Sequence, residues 1–145
     1  MPDCIRSWIK NKPAKIRNPN STRPWQHVLE PLSGYLSLAT SLFYEKEING
    51  ESFNFGPRSS ENKTVDDLVR KLSSYFNYST YEIDDKEKIQ HVESKLLKLN
   101  CDKALSEIGW SPTLSFEETI SFTTNWYKTY IDKQKNIQFF TISQI

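Results

Sequence analysis

The sequence predicts a mostly helical α+β domain with a few short strands. Apolar residues recur at the 3.6-residue period of an amphipathic helix in residues 2–11, 31–46 and 64–76, and again after residue 115. Short extended stretches lie between these helices. The 145 residues suffice for one core of ordinary size. Aromatic residues make up 13% of the chain, which argues against disorder despite a mean hydropathy of -0.65.

The N-terminal part predicts two helices separated by extended chain. The first helix covers Pro2 to Asn11 and ends before Pro13, because the residue before a proline avoids the α region. Ala14 to Asn18 follows as a short extended piece, and Trp25 to Leu29 is predicted as a short strand. Pro31 to Lys46 then forms a long apolar helix with a wide hydrophobic stripe.

The middle of the chain predicts a strand, a helix and another strand. Ser52 to Phe55 is predicted as a strand, ended by the following Gly-Pro pair. Thr64 is predicted to cap a helix whose buried face extends to Phe76. Tyr81 to Ile83 is a further candidate strand, and the mixed charges of residues 84–88 indicate a solvated loop.

The C-terminal part predicts two more helices. One runs from Cys101 or Asp102 to Ile108, with Asn100 as its cap and Gly109 at its end. Ser115 is predicted to cap the last helix, which extends to about Gln134. Residues 136–145 form an apolar tail, which we expect to be frayed or to add as a strand to another element.

Composition and charge exclude several classes of function. The formal net charge is +1, so we expect no nucleic-acid or membrane partner. No run approaches the roughly 18 apolar residues of a membrane helix, and the N-terminus is no secretory signal. Cys4 and Cys101 lie far apart and outside any metal-ligand spacing, which is typical of reduced thiols. We therefore expect a cytoplasmic protein without a bound metal.

Residues 17–36 are dense in groups that bind anions and flat rings. Arg17 and Arg23 offer paired donors in one plane, a geometry that suits phosphate oxygens. Prolines shape the segment between them into a loop. An ordinary surface loop is an equal alternative from residue chemistry alone. His27 beside Trp25 is interpreted as an orienting group for the Arg23 loop, because a lone histidine is more often structural than catalytic.

A run within this segment resembles a known family. Arg23-Pro24-Trp25-Gln26-His27-Val28-Leu29-Glu30-Pro31-Leu32 looks like the signature of the CDP-glucose 4,6-dehydratases, a branch of the extended short-chain dehydrogenase/reductases. Further matches follow in the right order: Phe53-Asn54-Phe55-Gly56-Pro57, Leu96 to Ala104, Gly109-Trp110-Ser111-Pro112 and Trp126-Tyr127. The resemblance covers about Pro2 to Tyr130 and only the C-terminal half of the family. It implies a nucleotide-sugar-binding domain at 1–135 and a tail at 136–145.

The resemblance also implies a set of substrate-binding residues. Arg23 would hold the diphosphate of CDP-glucose, and the extended piece at residues 15–18 would line the cytosine pocket. Glu93 would lie in a loop that closes over the ligand, although His91 is displaced by one position from the family pattern. The whole set is Arg17, Asn18, Arg23, Trp25, His27 and Glu93.

The family's reaction requires groups that this sequence lacks. The complete enzymes use NAD to oxidise the sugar at C4, eliminate water across C5 and C6, and return the hydride to C6 in deoxysugar and O-antigen biosynthesis. NAD needs a glycine-rich turn, but the four glycines at 34, 50, 56 and 109 are too far apart to form one. No tyrosine has a lysine four residues later, as the family's catalytic pair requires. The Rossmann part is therefore expected to be absent, and the chain is expected to be inactive and without NAD when alone.

Three hypotheses remain open from the sequence. In the first, the chain is the substrate-binding part of a dehydratase, and it comes from a split or disrupted gene or a truncated sequence. In the second, it is a binding module that pairs with a separate Rossmann-domain chain. In the third, it is a non-enzymatic interaction domain. The start inside a helix favours a missing upstream part. The complete enzyme is expected to be a homo-oligomer. Each large apolar side chain left uncovered forfeits about 1.5–3 kcal/mol, so we expect the isolated chain to be marginally stable, oligomeric or partly molten.

Overall fold

Six helices and four short strands make up the described part of the chain. A computed structural model describes residues 1–44, 46–83, 96–132 and 136–145. In chain order its elements are α1 (Pro2–Ile9), β1 (Ala14–Ile16), β2 (Thr22–Arg23), α2 (Leu29–Tyr44), a 3-10 turn (Lys46–Ile48), β3 (Lys63–Thr64), α3 (Val65–Ser73), β4 (Tyr81–Ile83), α4 (Asp102–Ile108), α5 (Phe116–Ile131) and α6 (Ile137–Ser143).

The strands of the described part form two small sheets, each of two strands. β1 pairs with β4 in parallel, with Ala14 opposite Tyr81 and Ile16 opposite Ile83. β2 pairs with β3 antiparallel, with Arg23 opposite Lys63. Both sheets join the N-terminal segment to residues near α3, so the loop between β1 and β2 is held at both ends.

The main hydrophobic core lies between α1, β1, α3 and the start of α5. Its fully buried side chains include Ile5 from α1, Leu68 and Leu72 from α3, and Ile120 from α5. This confirms the apolar faces predicted for α1 and α3, except that Ile9 is 47% exposed because α1 ends at that residue. The core fixes the elements on either side of the β1–β2 loop.

Helix α2 packs against the segment around Phe55 through Gly34 and the partly buried Leu38. Gly34 is buried, and a Cβ placed on it would lie 2.4 Å from a ring carbon of Phe55. Phe55 also meets Trp110 edge to face, with 4.9 Å between the ring centroids, and Ala104 completes this second buried cluster. The absence of a side chain at Gly34 therefore lets α2 approach the Phe55 segment closely.

The large apolar side chains of α2 point away from the rest of the described chain. We call Leu32, Leu36, Phe43 and Tyr44 the outer face of α2; their exposed fractions are 46%, 72%, 79% and 77%. Isolated apolar residues on a surface are ordinary, but a row of four along one helix is typical of a surface that another element covers.

The caps predicted at Thr64, Ser115 and Gly109 are confirmed, whereas the cap predicted at Asn100 is displaced by one residue. Thr64 and Asp67 form a reciprocal capping box at α3, and Ser115 and Glu118 form another at α5. Gly109 ends α4 in the left-handed conformation, with φ of 64°. At the start of α4 the N-cap residue is Cys101, while the Asn100 side chain accepts a hydrogen bond from the N–H of Asp102 at 2.8 Å.

Two predicted strands are wrong. Residues 24–28 contain no strand; the strand is displaced to Thr22–Arg23, because the N–H of Trp25 bonds the Arg23 carbonyl at 2.9 Å and turns the chain there. Residues 52–55 also form no strand, since no strand of the described part lies beside them. Side chains hold this segment instead: Gln26 donates to the Phe55 carbonyl at 3.0 Å.

The C-terminal tail is helical, which corrects the expectation of a frayed end or an added strand. The Asn136 side chain accepts a hydrogen bond from the N–H of Phe139 and starts α6. Trp126 of α5 donates to the Thr141 hydroxyl at 2.8 Å, and Gln144 donates to the Phe122 carbonyl at 3.0 Å. These bonds hold α6 against α5. The predicted loop at 84–88 and the predicted end of α5 near residue 134 lie outside the described residues.

Across the described ranges, none of the helices combines the length and the apolar character needed to cross a bilayer.

Replacing Gly34 with alanine tests the close packing of α2. Helix propensity alone would stabilise the chain by about 1 kcal/mol, whereas overpacking against Phe55 is expected to destabilise it by about 1–3 kcal/mol. Urea denaturation measures the difference. The matched control is Ala39→Gly at an exposed position of the same helix, which is expected to cost about 1 kcal/mol from propensity alone. A rise in stability for Gly34→Ala would contradict the packing argument.

Candidate functional site

The loop between β1 and β2 is fastened to the N-terminal end of α3. The N–H of Val65 donates to the Ser21 carbonyl at 3.0 Å, and the N–H of Asp66 donates to the Pro19 carbonyl at 2.9 Å. Within the loop, the N–H of Ser21 donates to the Asn18 carbonyl at 3.1 Å. Two orphan donors of α3 are thereby satisfied, and the loop takes a defined shape. Arg17 is exposed and directly follows β1.

Arg23 lies at one end of a cleft that contains three cationic side chains. Its guanidinium is half-buried, and Nη1 donates to the Thr22 carbonyl at 2.7 Å. The adjoining walls are residues 57–59 and 97–99, which bring Arg58 and Lys98 to the same cleft. The part beside Arg23 is narrow, about 20 Å³. It shares Arg58, Ser59 and Lys98 with an adjoining open part of about 550 Å³, which extends along residues 100–102 and 110–112 and which Arg23 does not line.

We call this surface the arginine cleft, defined by Arg23, Arg58, Ser59 and Lys98. Two acids, Glu61 beside Arg23 and Asp102 at the far end, also line it. Three cations against two acids leave one excess positive charge, and the guanidinium groups supply directional donors for an anion. The arrangement can therefore hold an anionic ligand.

Arg58 and Lys98 were not singled out by the sequence analysis. Arg58 directly follows the Gly56-Pro57 motif, and Lys98 lies within the matching run from Leu96, so both were within segments that carry the resemblance. What sequence could not supply was their position beside Arg23, which depends on how three separate loops pack.

Trp25 does not line the arginine cleft. Its indole Nε1 donates to the Lys63 carbonyl at 3.1 Å, and its ring packs against the main core. This bond joins the residue after β2 to β3, so Trp25 reinforces the same pairing that places Arg23. Its contacts are those of a structural residue.

His27 lies on a different surface from Arg23. It is buried, its Nδ1 accepts a long hydrogen bond from the N–H of Leu29 at 3.4 Å, and its ring meets Phe122 edge to face at 5.7 Å between centroids. Burial lowers the pKa of His27, and the nearby Glu30 carboxylate offsets this in part. The residue therefore orients the start of α2, next to an apolar groove that α5 and α6 also line.

The predicted binding residue Glu93, together with His91, lies outside the described residues. Of the six predicted site residues, Arg23 lies in the arginine cleft, Arg17 and Asn18 lie at the start of the β1–β2 loop, and Trp25 and His27 fix the backbone after β2.

Glu30 is a buried carboxylate that organises the region behind the cleft. It is only 5% exposed, and it accepts hydrogen bonds from the N–H groups of Thr113, at 3.1 and 3.2 Å, and of Leu114, at 2.6 Å. In the sequence, Glu30 stands out only as a member of the run from Arg23 to Leu32 that carries the resemblance. The structure shows that it joins the start of α2 to the segment before α5.

Several other acids of the described part cap helices or form ion pairs. Backbone and side-chain hydrogen bonds from Thr64 lower the pKa of Asp67, and those from Ser115 lower the pKa of Glu118. Asp66 accepts from Tyr81 at 2.8 Å and from Arg70 at 2.6 Å, which lowers its pKa. Among the residues described, no cluster of three or more metal-ligating side chains occurs.

The chain is similar in sequence to a known enzyme of nucleotide-sugar metabolism, a CDP-glucose 4,6-dehydratase. Over 131 residues the chain is 42% identical to CDP-glucose 4,6-dehydratase of Salmonella typhimurium, an alignment that covers 90% of this chain and 36% of that enzyme. The chain thus spans little more than a third of the length of this relative. No protein-family model matches the chain.

Solved structures show the same fold at lower identity. The UDP-glucuronic acid 4-epimerase of Bacillus cereus, in complex with UDP-glucuronic acid and NAD, matches with a TM-score of 0.73 and 20% identity, over 88% of this chain and 39% of that one. The dTDP-glucose 4,6-dehydratase of Bacillus anthracis, in complex with NAD, matches with a TM-score of 0.68 and 18% identity, over 90% of this chain and 38% of that one.

These likenesses confirm the resemblance to CDP-glucose 4,6-dehydratases that the motifs predict. They also confirm the fold class, a mostly helical C-terminal portion of an extended short-chain dehydrogenase/reductase with a few short strands.

Replacing Glu30 with glutamine tests its organising role. Both backbone N–H groups reach Oε1, so the amide oxygen can still accept from them, but the negative charge is lost and an NH2 donor replaces the oxygen that accepts from Thr113 at 3.2 Å. We expect a loss of about 1.5–3 kcal/mol in the free energy of unfolding, the range for hydrogen bonds to charged groups. Urea denaturation measures it. Glu107→Gln removes an exposed carboxylate of α4 and is expected to change stability by less than about 0.5 kcal/mol. Equal effects of the two substitutions would contradict the role of Glu30.

The lowered pKa of His27 predicts a pH dependence of stability. Because the unfolded chain binds a proton more readily than the buried imidazole, stability is expected to be full above the ordinary histidine pKa of about 6.5 and to fall as the pH drops below it. The capping carboxylates lose their contribution at lower pH, below about 4.5. Urea midpoints between pH 5.5 and 7.5 test this. His27→Gln should abolish the dependence, whereas His91→Gln should retain it.

Proposed function

We propose that the chain is the substrate-binding portion of a CDP-glucose 4,6-dehydratase and that it binds the nucleotide sugar through the β1–β2 loop and the arginine cleft. The observation that carries the proposal is the position of Arg23. The first residue of the dehydratase signature lies in a cleft with two further cations. The sequence similarity to the Salmonella dehydratase supports the choice of a CDP-sugar over another anion.

Arg23 is the proposed contact of the diphosphate. One nitrogen of its guanidinium already bonds the Thr22 carbonyl, which fixes the direction of the group. The guanidinium carries five N–H donors in a planar fork, a geometry that matches phosphate oxygens. The pairing of Arg23 with Lys63 across β2 and β3 keeps the backbone of this residue in place.

The base is proposed to lie along the end of β1, at Arg17 and Asn18. β1 pairs with β4 on one edge, and no strand of the described part pairs with its other edge. The backbone N–H and C=O groups of a strand edge can read the donor and acceptor pattern of a flat ring. The turn from Asn18 to Ser21 then leads the chain toward Arg23.

The chain's residues do not fit NAD. Gly34 and Gly56 are packed against Phe55 and Leu99, and the other two glycines, at positions 50 and 109, have positive φ at isolated turns. None of the four forms the turn that cradles a pyrophosphate. We therefore assign NAD, and the groups that act on the sugar, to the part of the enzyme that this chain does not include.

The outer face of α2 is the proposed contact with that part. Four large apolar side chains in a row would be covered by a dinucleotide-binding domain, whether in the same polypeptide or in a separate chain. This face also favours a second candidate function, a non-catalytic module that binds another protein without binding nucleotides. The cytoplasmic location and the homo-oligomeric state of the complete enzyme stay predictions.

A CDP titration followed by amide NMR tests the proposal. We expect shifts near residues 15–27 in the wild type. In Arg23→Gln we expect about 10-fold or greater weakening, because a charge-assisted hydrogen bond contributes about 1.5–3 kcal/mol. The matched control is Arg6→Gln, which removes an exposed arginine of α1 that forms a surface ion pair with Asp3. Lack of CDP binding by a chain with dispersed spectra would favour the interaction module, and equal binding by all three proteins would remove Arg23 from the site.

A further inference from the structure

Arg58 is the second arginine of the cleft, and the proposed contacts of Arg23, Arg17 and Asn18 do not involve it. It is exposed on the loop after Phe55, and it lines both the narrow end of the cleft near Arg23 and the open part beyond. Its backbone carbonyl accepts from the N–H of Glu61 at 2.8 Å, which fixes the turn that carries it. A long cationic side chain on a loop is ordinarily mobile. The turn that carries Arg58 is nevertheless fixed, and the contacts of the guanidinium explain what this turn positions.

A single peptide unit connects Arg58 to buried Glu30. Arg58 Nη2 donates to the Pro112 carbonyl at 3.4 Å. The N–H of the same peptide unit, that of Thr113, donates to the Glu30 carboxylate. The peptide is trans, so its carbonyl and its N–H point in opposite directions. Glu30 therefore holds the peptide from the buried side, and the carbonyl is presented to Arg58 on the side of the cleft.

The hydrogen bonds on the two sides of this peptide reinforce one another. A carboxylate that accepts from a peptide N–H polarises the unit and makes its carbonyl a stronger acceptor. The carbonyl takes up one donor of Arg58, and the guanidinium has others that can face a ligand. Nearby, Ser59 and Lys98 offer further donors, while Asp102 at the far end, Glu61 near Arg23 and the charge of Glu118 near Arg58 oppose an anion.

We propose that Arg58 is a second phosphate-binding residue of the arginine cleft, and that Glu30 positions it through the Pro112–Thr113 peptide. The inference deepens the proposed function and rests on it for the identity of the ligand as a nucleoside diphosphate. Arg23 and Arg58 then contact the diphosphate from two different loops, and Glu30 is a positioning residue that never touches the ligand.

Titration with inorganic pyrophosphate tests Arg58 separately from the base. We expect Arg58→Gln to weaken pyrophosphate binding about 10- to 100-fold, and Arg58→Lys to restore only part of it because the planar fork is lost. Arg6→Gln is the matched loss of charge and is expected to bind as the wild type does. Unchanged affinity in Arg58→Gln, or no pyrophosphate binding by the wild type, would overturn the inference.

To test whether Glu30 positions Arg58, the measured quantity must be one that a loss of stability alone does not change. Pyrophosphate affinity is such a quantity. Glu30→Gln is expected to weaken pyrophosphate binding about 3- to 10-fold, by a loss of orientation and not of charge at the ligand. Ile5→Val destabilises the main core, away from this peptide and from the Phe55 segment that carries Arg58, so its affinity should remain that of the wild type. If both variants weaken binding equally, the effect is general destabilisation and Glu30 has no positioning role.

The same titrations separate this inference from the proposed function. CDP that binds the wild type more tightly than pyrophosphate supports a nucleotide site. If pyrophosphate binding depends on Arg58 but CDP binds no more tightly than pyrophosphate, the anion site stands and the CDP-sugar assignment fails.

Discussion

The position of α2 depends on the buried carboxylate of Glu30. Three hydrogen bonds from the backbone of residues 113 and 114 end on this one group. They join the first turn of α2 to the segment that leads into α5, and Trp110 adds a bond from its indole N–H to the Ser33 hydroxyl at 2.9 Å. A buried charge is tolerated only when such donors surround it. The signature therefore has two ends with different tasks: its arginine faces the cleft, and its glutamate fixes the framework behind the cleft.

Helix α2 carries apolar side chains on two sides. Gly34 and the partly buried Leu38 pack against the Phe55 cluster, while Leu32, Leu36, Phe43 and Tyr44 form the exposed outer face. The hydrophobic effect favours covering this outer face as well. The bonds of Glu30 and the close approach of Gly34 to Phe55 hold the helix as it is. The exposed outer face is consistent with the length of the match, since the chain spans little more than a third of its dehydratase relative.

Local signals predicted those elements that local chemistry determines. The caps at Thr64 and Ser115 and the left-handed glycine at 109 could be read from single residues and their neighbours. The strand predicted at residues 25–29 failed because a turn at Arg23 ends the pairing, and alternation of side chains does not reveal turns. The position of Arg58 beside Arg23 depends on the packing of loops far apart in sequence, so only the structure could reveal the arginine cleft.

The parallel pairing of β1 with β4 has a consequence for synthesis of the chain. All of α2 and α3 lies between the two strands, so closing this pair is a long-range step with a large entropic cost. During translation β1 emerges early and must wait until residue 83 has left the ribosome. Until then the edge that β4 will occupy is an unpaired template for another strand. A nascent chain that stalls before residue 83 therefore carries β1 without its partner strand, even when its helices have formed.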